Sequence, residues 1–273
     1  MELTIANALA KTRLDYAEKQ RFVRERIDQG ERWRENSVLI LLERAPAGSG
    51  TPYAFVLNKR SAYVSQPGDL CFPGGHPEPG PDRLFAKYVI PRIPAMRDNP
   101  AYRMLSARYP GQMPCIRYYL AGALRECHEE VRVNPWRIAF LGALPAYRMD
   151  TRRRMIYPMV GMVRSGTKIR VNPEEVEKNL RLYVDDLFDP DNYGTCTFAL
   201  TGEYRGRYPV DEFDMPCYMV REPDGPDELL WGATFRMILH FANLAFGFQP
   251  PADGPVRVKR ELYPNRATRQ AAG

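Results

Sequence analysis

Residues 37–43 (SVLILLE) and 53–61 (YAFVLNKRS) are nearly unbroken apolar runs of strand length. The turn formers RAPAGSGTP between them predict a connecting loop. A shorter run, DLCF at 69–72, leads into two adjacent glycines, Gly74 and Gly75. From 116 to about 132 the period changes: Leu120, Leu124, Cys127 and Val131 recur at intervals of three and four, which predicts a helix. IAFLGAL and YPMVGMV return to strand-like runs, and NPEEVEKNLRLYVDDLF (172–188) predicts a turn, a strand and a short helix. ELLWGATFRMILHFANLAF (228–246) predicts a buried helix closing the core. Strands and helices mix without regular βαβ alternation, so a mixed sheet covered by helices is expected.

Between the glycines and the helix, residues 79–118 hold seven prolines and no sustained period, which predicts an insertion with at most short helices. The expected organisation is an N-terminal helical extension over 1–35, a main domain over 36–248 containing the insertion at about 79–118, and a tail over 249–273. Past Pro250 that tail is polar and reads as extended or mobile.

Composition is that of a soluble globular chain, 44% hydrophobic and 26% charged, without an apolar run long enough to span a bilayer. The first residues lack the basic-then-apolar order of a secretory signal. Five cysteines, with no CxxC pair, point to reduced thiols rather than a disulfide framework or a zinc site, so a cytoplasmic location is expected. Charge changes the picture at one place only. The net charge is +6, and residues 79–118 hold seven basic side chains (Arg83, Lys87, Arg92, Arg97, Arg103, Arg108, Arg117) against Asp82 and Asp98. That segment reads either as a solvated surface loop or as a surface for an anionic partner.

The chemistry lies in ALRECHEEV, residues 123–131. On a helix Glu126, Glu129 and Glu130 stand at i, i+3 and i+4 and project from one face, while Leu124, Cys127 and Val131 turn to the core. Neighbouring carboxylates repel unless a divalent cation lies between them, and such an oxygen-rich set suits Mg²⁺ or Mn²⁺. Taken alone, the triplet also matches an ordinary solvated Glu-rich helix face. Arg125 can orient a carboxylate. Gly74 and Gly75, lacking Cβ atoms, would let backbone approach that helix closely.

Together the two segments resemble the Nudix hydrolase box, G-x5-E-x7-R-E-U-x-E-E-x-G-U with U apolar. Gly75 fills its first position, and Arg125, Glu126, Cys127, Glu129, Glu130 and Val133 fill its second half. Three departures stand out: positions 76–124 intervene between Gly75 and Arg125, 36 more than the pattern has; Pro81 occupies the first Glu position, with Glu78 and Asp82 out of register; and Arg132 replaces the last glycine. VLNKRSAYVSQPGDLCFPGG (56–75), NPEEV (172–176) and LLWGATFRMIL (229–239) are similar to the coenzyme A diphosphatase branch, although VSQP stands where that branch has L-R-x-H.

The resemblance implies an α/β fold, a Nudix-type α/β/α sandwich with a mixed β-sheet. It implies Mg²⁺- or Mn²⁺-dependent hydrolysis of a diphosphate in a small-molecule nucleotide, coenzyme A or acyl-coenzyme A first. It places metal ligands at Gly75, Glu126, Glu129 and Glu130, and Arg125 with the box glutamates in the catalytic set. A general base comes from those glutamates or from a later loop, Glu174 or Glu175, and Glu175 is assigned to the site. Gly74, Lys59 and Arg60 are the expected substrate contacts, with Arg152, Arg153 and Arg154 as further partners for a 3′-phosphate. The competing expectations are another Nudix substrate (ADP-ribose, a dinucleotide or a nucleoside triphosphate) and a Nudix-fold binding module with reduced turnover. No membrane partner is expected, nucleic acid is disfavoured, and a homodimer is left open.

Overall fold

The computed structural model describes residues 2–45, 52–201, 210–223 and 225–262. The loop at 46–51 and the tail beyond 262 therefore lie outside the described residues. The chain opens with α1 (Glu2–Lys11) and α2 (Tyr16–Asp28), then forms β1 (Arg34–Arg44), β2 (Tyr53–Arg60), β3 (Leu70–Cys71) and β4 (Gly74–Gly75). The short helices α3 (Pro81–Leu84) and α4 (Pro94–Arg97) follow, then α5 (Pro100–Arg108) and the long α6 (Met113–Val131). Next come β5 (Ile138–Ala143), β6 (Tyr147–Met149), β7 (Arg154–Val163), β8 (Val176–Tyr183), β9 (Tyr193–Ala199), β10 (Glu212–Val220) and β11 (Glu228–Trp231). The described part closes with α7 (Gly232–Phe246) and β12 (Val256–Glu261).

The first eight strands form one mixed sheet: β1 runs parallel to β7 and antiparallel to β2 and β4, and β8 pairs antiparallel with β2. β1 is apolar on both faces because both are covered. Leu39 and Leu41 pack into the layer of α6 and α2, whereas Ile40 and Leu42 pack into the layer of α1 and α7. β7 divides in the same way, with Tyr157 and Met159 on the α6 side and Ile156 and Val160 opposite. The expected α/β/α sandwich with a mixed sheet is the architecture observed. The N-terminal helices belong to it: Ile5 and Leu9 are buried, and the Tyr16 hydroxyl donates to the Leu144 carbonyl at 2.8 Å.

Two expectations need correction. The segment 79–118 is not a solvated loop, because Ile90, Ile93, Met96, Leu105 and Ile116 are buried in the α6-side core. The short helices expected there are present, and six of its prolines (Pro81, Pro91, Pro94, Pro100, Pro110 and Pro114) sit in the first turn of a helical segment. There the missing N–H has no intrahelical partner to lose and the fixed φ is already helical. Asn99 completes the start of α5 by accepting from the Ala101 amide at 2.7 Å. Second, 228–246 is not one helix. Residues 228–231 form β11, and Gly232 turns the chain at φ +65° into α7. Of the two readings of the tail past Pro250, the extended one holds over 256–261: this stretch is β12, which runs parallel to β9 in a second sheet of order β11-β10-β9-β12.

Candidate active site

The site forms where β4 meets the C-terminal half of α6. Gly75 pairs with Ser37 of β1 and Gly74 with Val38, which holds the glycine strand directly beside the helix. A Cβ on Gly75 would overlap the Glu126 carboxylate, and a Cβ on Gly74 would overlap Val38 and the Ser37 carbonyl. Close backbone approach requires glycine at Gly74, whereas at Gly75 a methyl would push the flexible Glu126 carboxylate aside.

A cavity of about 180 Å³ opens at this junction, lined by Gly74, Gly75, Glu126, Glu130, Glu175 and Arg60, with Asn58, Val64, Cys71 and Val176 completing the wall. Glu130 is buried at 5% exposure; its Oε2 accepts from Asn58 Nδ2 at 2.7 Å and its Oε1 from the Gly74 amide at 3.4 Å. Asn58 is in turn held by Asn179 Nδ2 at 2.7 Å. Burial drives the Glu130 carboxyl up to about 7 against those two hydrogen bonds. Burial also lifts Glu126 to about 7, with Glu129 and Glu175 adding repulsion and Arg125 opposing it. Cys71, though in the wall, has its thiol pushed up to about 12 by burial and is no nucleophile near neutral pH.

Glu175 reaches the cavity because its loop is fastened to the end of α6: the Asn172 amide donates to the Glu130 carbonyl at 2.7 Å and the Arg170 amide to the Val131 carbonyl at 3.0 Å. Asn172 Nδ2 then donates to Glu175 Oε1 at 3.3 Å. Glu174 is exposed and does not line the cavity. Arg125 gathers the acids around it. Its Nε meets Asp82 Oδ1 at 3.0 Å, its Nη2 meets Glu126 Oε1 at 3.1 Å, and its Nη1 meets Glu129 Oε2 at 2.8 Å.

The anticipated residues therefore divide. Gly74, Gly75, Glu126, Glu130, Glu175 and Arg60 share the cavity, while Glu129 turns to Arg125 and does not line it. Lys59 lies outside, in ion pairs with Glu228 at 2.9 Å and Glu177 at 3.0 Å, and Arg152, Arg153 and Arg154 are not in the wall either. His128 is exposed. Two contributors were missed. Asn58 carries no sequence signal beyond its place in an apolar strand. Asp82 had one, since it stands a single residue past the box position occupied by Pro81.

Among the described residues no three carboxylate, histidine or thiol groups already converge on one point as a formed metal site. The donor chemistry nevertheless fits a hard divalent cation. Glu126 and Glu130 are oxygen donors held in a confined cavity, and burial raises the cost of their charge unless a cation offsets it.

No protein-family model matches the chain. The chain is 22% identical over 205 residues, 75% of its length and 68% of the relative's, to a peroxisomal coenzyme A diphosphatase from Mus musculus. Among solved structures it is similar to a Nudix hydrolase from Alicyclobacillus acidocaldarius, with TM-score 0.37, 14% identity, and coverage of 56% of this chain and 80% of that one. It is also similar to an Ap4A hydrolase from C. elegans in a binary complex, with TM-score 0.36, 14% identity, and coverage of 56% and 82%. No described helix is long and apolar enough to cross a membrane.

Proposed function

We propose that this protein is a Nudix hydrolase that cleaves the diphosphate of a nucleotide linked to a second moiety, with coenzyme A or acyl-coenzyme A as substrate and 3′,5′-ADP and (acyl-)4′-phosphopantetheine as products. One observation carries the reading: Glu126 and Glu130 of RECHEEV, Glu175 of NPEEV, and Gly74-Gly75 of FPGG face one cavity although they come from three distant segments. The coenzyme A diphosphatase relative, which spans three quarters of the chain, supports the choice of substrate.

Glu126, Glu130 and the Gly75 backbone are the groups that would hold Mg²⁺ or Mn²⁺, with Glu129 close behind on Arg125. Such an ion supplies charge to phosphate oxygens and acidity to water. The chain itself supplies the rest. Arg125 fixes the Glu126 and Glu129 carboxylates. Arg60, in the cavity wall, can take a phosphate oxygen, its Nε tied to the Ser65 carbonyl at 2.7 Å. Glu175, oriented by Asn172, accepts the proton of the attacking water as its oxygen bonds to phosphorus and the bridging P–O bond breaks.

The test is a mass-resolved turnover assay with Mg²⁺ and then Mn²⁺, offering coenzyme A, acyl-coenzyme A, ADP-ribose, NADH and nucleoside triphosphates in parallel. Formation of 3′,5′-ADP with 4′-phosphopantetheine, abolished by Glu126→Gln, is the expected result. Turnover of another substrate alone would retain the hydrolase and discard coenzyme A. Silence across the panel with both metals would leave a binding module.

A further inference from the structure

We propose that a second cavity, on the N-terminal half of α6, is a binding site for a phosphate-bearing anion. It is the larger of the two, about 470 Å³, and lies within the size range of small-molecule sites, about 300–1,000 Å³. Its wall comes from three elements remote in sequence: Gln20 and Arg24 of α2; Arg83, Ala86 and Lys87 of the segment before α6; and Pro114, Cys115, Arg117 and Tyr118 of α6.

Four of these side chains are cationic and none is acidic. Among the described residues, Arg24, Arg83, Lys87 and Arg117 take part in no ion pair. Elsewhere Lys59, Arg125 and Arg181 are each paired with carboxylates. Two neighbouring carboxylates are held chiefly by other groups, although Glu35 also attracts Arg24. Asp82 is held by Arg125, and the Glu35 Oε1 accepts from the Tyr119 and Tyr157 hydroxyls at 2.8 and 2.9 Å. Four like charges around one concavity repel one another and focus a positive potential within it, which an anion of more than one charge relieves best. Guanidinium forks from Arg24, Arg83 and Arg117 suit phosphoryl oxygens, while Gln20 is held in the wall by its bonds to the Tyr119 hydroxyl and the Cys115 thiol. Arg83 also lies over the Tyr118 ring, 5.8 Å from its centroid, so its head group is directed into the cavity wall.

This site is separate from the acidic one. Tyr118 and Glu126 are eight residues apart on α6, roughly 12 Å along its axis. An anion in the cationic cavity therefore does not sit on the Glu126–Glu130 pair. The inference does not rest on the hydrolase reading.

Isothermal titration of the full chain with inorganic pyrophosphate, in EDTA and at low ionic strength, tests it. Binding that persists unchanged in Arg60→Gln, which removes the cation of the first cavity, reports on the second site. Saturable binding is expected, unchanged in Glu126→Gln and weakened at least ~10-fold in the double variant Arg24→Gln/Lys87→Gln. That variant should stay folded, with a melting temperature within a few degrees of the parent, because both side chains are exposed. Coenzyme A and 3′-dephospho-coenzyme A as competitors identify the source of the anion. Displacement by coenzyme A alone assigns the site to a remote phosphate of an extended nucleotide. Displacement by neither assigns it to a free phosphate ligand. Absence of saturable binding, or equal binding by a folded double variant, would overturn the proposal. So would displacement by a single-stranded oligonucleotide at far lower concentration, which would make this a nucleic-acid surface.

Discussion

Asp82 and Arg125, 43 residues apart, form a buried ion pair in which Arg125 Nε donates to Asp82 Oδ1 at 3.0 Å and Nη2 to Oδ2 at 3.3 Å. The aspartate is 2% exposed and its other role is to accept from the Glu78 amide at 2.7 Å. The segment before α6 thereby anchors the arginine that organises the acidic face of α6.

Asp82→Ala leaves that guanidinium short of its most buried partner. Loss of one member of a buried pair costs on the order of 3 kcal/mol, and urea denaturation is the measurement. Turnover should fall with stability held constant by temperature, because Glu126 and Glu129 lose their fixed neighbour. A variant as stable and active as the parent would show that Asp82 does not support the site.

Gly75→Ala places a methyl on the Glu126 carboxylate. The expected variant is folded, with a melting temperature within a few degrees of the parent and little turnover or Mg²⁺-induced stabilisation. Intact activity would mean that Glu126 has another productive position.

The two glutamates that flank Arg125 should differ. Glu126 lines the cavity, whereas Glu129 contacts Arg125 from a half-exposed position. Glu129→Gln acts through the arginine and should cost about 10–100-fold in turnover, the usual effect of a residue that orients a ligand. Glu126→Gln should cost more and also remove the Mg²⁺-dependent thermal shift. The reverse ranking would exchange their roles.

Glu35, away from the acidic cavity, contributes to the pH dependence of stability. Burial raises its carboxyl above the ordinary 4.5, opposed by the Tyr119 and Tyr157 hydrogen bonds and by His76 and Arg24. Its folded state therefore holds a proton that the unfolded chain releases first. Its contribution is greatest below the ordinary value and is lost as pH rises through 4.5 toward the raised folded value. Glu35→Gln keeps an acceptor for both tyrosines without a charge, so melting temperatures measured from pH 4 upward should decline less steeply than the parent's over that window. Parallel curves would show that Glu35 ionises alike in both states.

Arg132 ends α6 at φ +56°, ψ 23°, with its amide donating to the His128 carbonyl at 3.0 Å. A side chain in this left-handed conformation is disfavoured, and Arg132→Gly should stabilise the chain by about 0.5–1 kcal/mol with turnover unchanged. A loss of stability would indicate that the arginine side chain contributes more than its backbone costs.

How far the sequence reaches can be judged from particular positions. Apolar runs placed β1, β2, β5 and β7, and the three-four spacing from Leu120 to Val131 placed α6, because burial on one or both faces writes those periods directly into the chain. Glu126 and Glu130 were legible for the same reason. Once α6 exists, residues four apart share a face, and no tertiary contact is needed to bring them together. Gly74 and Gly75 were legible as a close approach, though not as an approach to Glu126 in particular. β9 and β10 were not legible, since their apolar and polar positions carry too little regular alternation to separate them from loop, and β12 is a mostly exposed edge whose pairing is supplied by β9.

Tertiary structure alone decided the remainder. The prolines in 79–118 allowed short helices without saying where they start, because proline forbids a helix interior and favours a helix start, and spacing does not say which applies. Glu175 rather than Glu174 enters the cavity because the Asn172 amide ties its loop to the Glu130 carbonyl. Lys59 is spent on Glu228, and Arg24, Arg83, Lys87 and Arg117 meet around one cavity, because packing brings distant segments together. The sequence by itself determined which local elements form and which chemical groups they carry, since helix and strand periodicities are properties of neighbouring residues. Which charges are paired, buried or left facing a ligand depends on long-range contacts, and those exist only in the folded chain.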